Sequence, residues 1–219
     1  MANLVILARV LLLFVVVGVW ARKTHLDLWW IDLLMVVLLG VVIFLDAVDG
    51  WVARRRGEVS DVGALLDIAG DRIVELVVWV FFAIRQHPDG TPFVPYWIPV
   101  VIIARAVVTD LIRSVAFQKG KTPFGAKSMM ETGWARQLTA TRWSRAVYGV
   151  LKVVAFCALG IVLVLERMGQ TGSVMHTVRL VTDILVYATA IFCIVRAIPV
   201  IWDGRRYFAP ARGSGSRLS

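Results

Sequence analysis

The sequence predicts an all-α fold, that of a polytopic integral membrane protein with six transmembrane helices. Three observations predict it. Hydrophobic residues make up 59% of the 219-residue chain and the mean hydropathy is +0.77, too apolar for an ordinary soluble domain. The charged residues, 18% of the total, cluster between the apolar runs. The basic ones also fall mostly in alternate connections, as the positive-inside rule requires of a multi-span chain. A net charge of +9 would suit nucleic acid, but basic loops beside anionic lipid explain it better, so no nucleic-acid partner is expected.

The first helix is Leu4 to Trp20, apolar except for Arg9. No positive residue precedes Arg9 and no A-x-A site follows, which favours a membrane helix over a signal peptide. After a polar turn, Leu28 to Leu45 forms the second helix. Gly50 to Asp61 is a basic turn, a helical extension followed by a loop at the water boundary. Ala64 to Ile84 is the third helix. His-Pro-Asp-Gly-Thr-Pro, within Arg85 to Pro95, marks a turn before the fourth helix, Tyr96 to Phe117. A long polar segment, Gln118 to Trp143, leads to the fifth helix, Arg145 to Leu165. A Gly-containing turn then leads to the sixth, Val178 to Trp202. Residues 1–203 read as one membrane domain and 204–219 as a basic, flexible tail. Trp20, Trp29, Trp30, Trp51, Trp97 and Trp143 fall at helix ends, as an aromatic belt would place them. Cys157 and Cys193 lie inside apolar runs and read as packing residues. His25, His87 and His176 fall in three separate loops and form no metal cluster.

The stretch from Asp46 to Asp71 organises the rest. Asp46, Asp49, Gly50 and Ala53 are three or four apart and share one helix face; Gly63, Asp67 and Asp71 are four apart and share another. Ionisable residues beside such apolar flanks read as functional. Two carboxylates about 5 Å apart repel by roughly 3 kcal/mol at an effective dielectric near 20. Four converging ones therefore call for protonation or for hard divalent cations, Mg²⁺, Mn²⁺ or Ca²⁺, and two ions would neutralise four Asp. Gly50 and Gly63 leave room for close approach. Arg54, one turn past Gly50, is placed to clamp a phosphate oxygen.

The pattern D-x2-D-G-x2-A-R-x8-G-x3-D-x3-D, carried by Asp46, Asp49, Gly50, Ala53, Arg54, Gly63, Asp67 and Asp71, resembles the signature of the CDP-alcohol phosphatidyltransferases at every fixed position. Asn3 and Arg9 also fit an N-terminal N-x2-T-x2-R pattern, with Ile6 where Thr is usual. The resemblance implies a phospholipid-synthesising enzyme. It would transfer a phosphatidyl group from CDP-diacylglycerol to an alcohol, releasing CMP. It implies two Mg²⁺ or Mn²⁺ ions on Asp46, Asp49, Asp67 and Asp71, with Asp71 also the general base. It implies contacts to CDP-diacylglycerol from Asp49, Gly50, Ala53, Arg54 and Ser60, lipid tails left in the bilayer, and a homodimer. The basic connections, with Arg54 to Arg56, Lys119, Lys121, Lys127, Arg136, Arg142 and the tail arginines, put both termini and the active site on the cytoplasmic side. The expected location is a bacterial cytoplasmic membrane.

The acceptor is read from polar residues on later helices. Arg105, Thr109 and Arg113 share a face of the fourth helix, and Ser144, Tyr148 and Lys152 a face of the fifth. Each basic residue has two readings: a snorkelling side chain, or a wall of an acceptor pocket. Arg196 is open to either. Asp110 is spaced to pair with Arg113, and Glu75 to orient Asp71 or pair with Arg72. Asp32 and Asp183 read as structural partners. Arg105, Arg113 and Lys152 favour a phosphorylated acceptor over serine or choline. The fourth helix resembles that of phosphatidylglycerophosphate synthases, which use glycerol 3-phosphate. Those enzymes carry a G-K-x-K-T element where this chain reads Arg142-Trp-Ser-Arg145, which leaves inositol phosphate open. A divalent-cation transporter is the competing class, but it leaves the spacing of Gly50 and Arg54 unexplained.

Overall fold

The computed structural model describes residues 2–21, 28–56, 61–121, 129–130 and 132–208; the side chains of 2–4, 46–56, 61–65, 67, 140 and 142 lie outside that description. Among the described residues, seven α-helices follow in chain order: α1 (Ala2–Ala21), α2 (Trp29–Arg56), α3 (Asp61–Ile84), α4 (Trp97–Gln118), the single turn α5 (Gly133–Ala135), α6 (Arg142–Arg167) and α7 (Ser173–Gly204). A π-helical turn, Arg136–Ala140, joins α5 to α6, and a 3₁₀ turn, Arg205–Phe208, follows α7. The six long helices are those expected from the sequence. The helical extension expected after Gly50 carries α2 unbroken to Arg56; the difference is that α3 starts three residues early, at Asp61. Both signature segments are therefore helical, so their three- and four-residue spacings do define faces.

Packing joins the long helices into a closed ring, α1–α2–α6–α7–α4–α3 and back to α1, with α2 also touching α3. The interior is apolar, built on Leu13, Val16, Leu39, Val78, Trp79, Phe82, Phe156 and Leu159, all almost wholly buried. Trp20 stacks on Phe81 at 5.3 Å, and Trp79 meets Phe156 edge-on at 5.0 Å. These rings fill the space that aliphatic side chains would leave open. Gly160 lets α6 approach α2, since a Cβ there would stand 2.6 Å from Val36 Cγ2. A second cluster, Ile112, Ala116, Met129, Met130, Ala135 and Val200, packs the segment after α4 against α7. Asp203, 1% exposed, accepts hydrogen bonds from the Thr132 backbone N–H and hydroxyl and ties that segment down.

The outer surface is apolar: Leu7, Leu11 and Phe14 on α1, Val37 and Phe44 on α2, Val107 and Leu111 on α4, Ile184 and Ile191 on α7. So continuous an apolar face suits lipid better than water. Two stretches, Gly133–Arg167 and Ser173–Phe208, are long and apolar enough to cross a membrane by length and composition. Val5–Ala21 and Trp29–Leu45 are shorter apolar helices. In α3 and α4, Asp71, Arg72, Glu75, Arg105, Asp110 and Arg113 interrupt the apolar run.

The end of the bundle opposite the signature is knit by ion pairs. Glu166 bonds His87 Nδ1 at 2.5 Å and Arg179 at 2.6 Å; Arg179 also reaches Asp89 at 3.1 Å, and Arg167 pairs with Asp32 at 2.6 Å. Asp32 is thus a structural partner, as expected. His176, expected in a loop, lies in the first turn of α7, because that helix begins at Ser173 directly after Gly172 (φ +86°).

Candidate active site

The backbone of α2 carries Asp46, Asp49, Gly50, Ala53 and Arg54, and that of α3 carries Gly63, Asp67 and Asp71. The side chains of all but Asp71 lie outside the described residues, as does Ser60 entirely. Asp71 therefore represents the signature. Its carboxylate is 48% exposed and takes the Lys152 ammonium at 3.3 Å. The preceding residue explains how α1 reaches this place. A Cβ on Gly70 would lie 2.8 Å from Arg9 Nη2 and 2.9 Å from Ile6 Cγ2, so the bare glycine forms the notch that admits the Arg9 guanidinium. Arg9 is 1% exposed. A cavity of about 20 Å³, room for about one water, lies between Arg9, Asp71, Glu75, Lys152, Val42 and Phe156.

One turn deeper on α3 stands Glu75, 2% exposed. A carboxylate so buried needs partners, and among the described residues Tyr148, Arg72 and Lys152 supply them. Tyr148 of α6 donates its hydroxyl to Oε1, Arg72 donates to Oε2 at 3.1 Å, and Lys152 Nζ stands 3.7 Å from Oε2. Arg72 also pairs with Asp110 of α4 through Nε at 3.3 Å, and Asp110 accepts from Arg113 at 3.2 Å. The two spacing-based pairs, Arg72 with Glu75 and Asp110 with Arg113, are both formed.

Two of the three expected acceptor residues, Arg105 and Lys152, meet at one ring, whereas the third, Arg113, pairs with Asp110. Arg105, Lys152 and Arg196 place their charged groups 6.0, 5.2 and 5.1 Å from the centroid of Tyr148. Arg196, left open by the sequence, belongs with them. Nε and Nη1 of Arg105 and Nε of Arg196 are buried without a hydrogen-bond partner among the described residues. Among the described residues, Arg72, Arg105, Arg113, Lys152 and Arg196 supply five cations around Glu75 and Tyr148, against three carboxylates from Asp71, Glu75 and Asp110. Buried donors with surplus positive charge are what a phosphate dianion requires. Two neighbours on the same faces have other duties. Thr109 bonds back to the Ala106 carbonyl at 3.0 Å, and Ser144 donates to the Leu138 carbonyl, closing the π-helical turn. Beside that turn an open groove of about 460 Å³ is lined by Trp134, Leu138, Trp143, Val147 and Phe192.

Sequence reasoning did not foresee the tie between Tyr148 and Glu75, which are 73 residues apart, and no local signal marks it. Arg9 had a signal, as the lone charge of an apolar helix. The donor chemistry at Asp71 fits a hard cation. It is a half-exposed carboxylate, on a helical face shared with Asp67, and it already accepts an ammonium.

Fold and site together define a helical membrane-associated enzyme with an acidic signature on two neighbouring helices. The family model of CDP-alcohol phosphatidyltransferases matches residues 1–195, and the chain belongs to that family. No curated protein matches it. Membership makes it a transferase of phospholipid synthesis, one that moves a phosphatidyl group from a CDP-alcohol to an alcohol acceptor. Family members are membrane proteins and generally depend on divalent metal.

Proposed function

We propose that this chain transfers the phosphatidyl group of CDP-diacylglycerol to glycerol 3-phosphate, releasing CMP, from a site on the cytoplasmic side of a six-span bundle. The observation that supports the acceptor class is the surplus of cations around Tyr148 among the described residues, with buried guanidinium N–H groups that no described residue accepts. Arg105, Arg113, Lys152 and Arg196 would hold the acceptor's phosphate. Asp71, at the mouth of the same pocket, would take the proton of the attacking hydroxyl on its carboxylate as the hydroxyl oxygen bonds phosphorus and the bond to CMP breaks. Asp49, Gly50, Ala53, Arg54 and Ser60 would hold the cytidine diphosphate. Asp46, Asp49, Asp67 and Asp71 would hold two Mg²⁺ or Mn²⁺ ions, which supply charge neutralisation of the diphosphate and of the departing CMP. The open groove by Trp134 and Phe192 gives one acyl chain of the lipid a place at the same end.

Inositol phosphate is the second reading, favoured by the absence of a G-K-x-K-T run before α6. The experiment is CMP release by the purified protein in detergent with CDP-diacylglycerol and Mg²⁺ or Mn²⁺. Glycerol 3-phosphate, inositol 1-phosphate, inositol and serine are offered separately. Release with glycerol 3-phosphate alone supports the first reading, and release with inositol 1-phosphate alone selects the second. Release with serine or inositol removes the phosphate pocket from the argument.

A further inference from the structure

Lys152 occupies an unusual position for an acceptor-binding residue, because its ammonium is shared by two acids of one helix. Asp71 and Glu75 are four residues apart on α3 and so face the same way, and Lys152 Nζ lies 3.3 Å from one and 3.7 Å from the other. A shift of a few tenths of an ångström exchanges its principal partner. The two seats differ in kind. Asp71 is half exposed, whereas Glu75 is buried and pinned by the Tyr148 hydroxyl and Arg72. The Tyr148 ring, 5.2 Å from Nζ, stabilises the ammonium on the Glu75 side. The cavity of about 20 Å³ beside Asp71, Glu75 and Lys152 gives the ammonium slack to move without repacking the core.

We propose that Lys152 is a built-in competitor for the divalent cation at Asp71, and that Glu75 is the second seat to which its ammonium withdraws when the ion binds. The inference rests on the reading of Asp71 as a metal ligand. An ammonium left against Asp71 repels an incoming divalent ion. A single and a double charge about 6 Å apart, even at the dielectric of water, repel enough for about a tenfold change in affinity. Withdrawal toward Glu75 relieves that repulsion and carries Lys152 toward Arg105 and Arg196. Ion binding then completes the cationic pocket for the acceptor.

The test is Mn²⁺ binding to the purified full chain in detergent, with no CDP-diacylglycerol and no acceptor. It is followed by the electron paramagnetic resonance signal of free Mn²⁺, so that turnover plays no part. Lys152→Met is expected to tighten binding about tenfold, and Lys152→Arg to leave it within about threefold of the parent or weaker. Glu75→Gln, which removes the second seat, is expected to weaken binding. The double variant Lys152→Met/Glu75→Gln should bind as tightly as Lys152→Met alone, because Glu75 acts through Lys152. Unchanged or weaker binding in Lys152→Met overturns the inference, as does tighter binding in Lys152→Arg. A double variant no tighter than Glu75→Gln makes Glu75 a direct partner of the ion and overturns it too. A parent protein that binds no Mn²⁺ removes the metal reading of Asp71, and the competitor falls with it; a parent that binds while Lys152→Met is unchanged removes the competitor alone.

Discussion

Replacing Arg105 and Arg196 with Met, singly, isolates the phosphate pocket. Methionine keeps the length and the apolar stem of each side chain, so the packing of α4 and α7 around Tyr148 is retained while the charge is lost. The magnitude follows from the site. Each guanidinium carries buried N–H groups that no described protein atom accepts, and on the proposed reading the acceptor's phosphate is their partner. A unit charge about 4 Å from a guanidinium gains roughly 4 kcal/mol at an effective dielectric near 20, and desolvation of both groups offsets much of it. Charged hydrogen bonds removed by mutation cost about 1.5–3 kcal/mol, which corresponds to roughly 10- to 150-fold in binding. The expected result is a Michaelis constant for glycerol 3-phosphate raised by about one to two orders of magnitude in each variant, with that for CDP-diacylglycerol within about twofold of the parent. Initial rates of CMP release, with one substrate varied at saturating levels of the other, measure both. Unchanged constants for glycerol 3-phosphate in both variants would refute the pocket and leave the arginines as snorkelling, packing side chains. A rise confined to CDP-diacylglycerol would assign them to the nucleotide instead.

Asp71→Asn should abolish CMP release while retaining much of the nucleotide binding, measured by equilibrium dialysis with labelled CDP-diacylglycerol in detergent; parent-like turnover removes Asp71 as the base. Gly70→Val should lower the melting temperature, because even its Cβ would press on Arg9 Nη2 at 2.8 Å and Ile6 Cγ2 at 2.9 Å, an overpacking cost of about 1–3 kcal/mol. A melting temperature equal to the parent's would mean that α1 and α3 can part there freely. Asp89, outside the spans, is held down to about 2 from its ordinary 3.8 by the Thr91 hydroxyl and backbone N–H and then by Arg179. A depressed carboxyl stabilises the fold fully above the ordinary value and loses that contribution as pH falls toward about 2. Asp89→Asn should therefore lower the melting temperature at pH 7, with the gap to the parent closing between pH 4 and pH 2. A gap that stays constant across that range contradicts the linkage.

The order of the six long helices was legible because long apolar runs mark them, and turn signals such as His87-Pro88-Asp89-Gly90 separate them. Their ends were less so. The helical extension read after Gly50 is formed, and α2 reaches Arg56 because glycine is tolerated within a helix that carries no other break, but the start of α3 at Asp61 rather than Ala64 carried no signal. On the candidate site, local pairs were visible at helical spacing, as with Arg72 and Glu75 or Asp110 and Arg113. Long-range partners were not. Nothing in the neighbourhood of Tyr148 points to Glu75, and nothing near Arg196 points to Tyr148, since those contacts arise only when the ring of helices closes.

That closure also explains why so many opposite charges crowd one end without collapsing on each other. Apolar helices in lipid slide past one another readily, and polar contacts between them fix their register. Here Glu75 is claimed by α6 through Tyr148, and Asp110 binds α4's own Arg113 to α3's Arg72. These two acids saturate the cations nearest to α3. Arg105 and Arg196 keep N–H groups that no described residue accepts, and Asp71 is half exposed. On the proposed reading this divides the site along α3: a metal and proton-accepting half at Asp71, and a phosphate half beyond Glu75. The two are about one helical turn, roughly 6 Å, apart. A small acceptor that carries a hydroxyl and a phosphate a few bonds apart can bridge those halves. An acceptor without the phosphate would leave Arg105 and Arg196 buried and unpaired, a penalty that discriminates more strongly than any added apolar contact could.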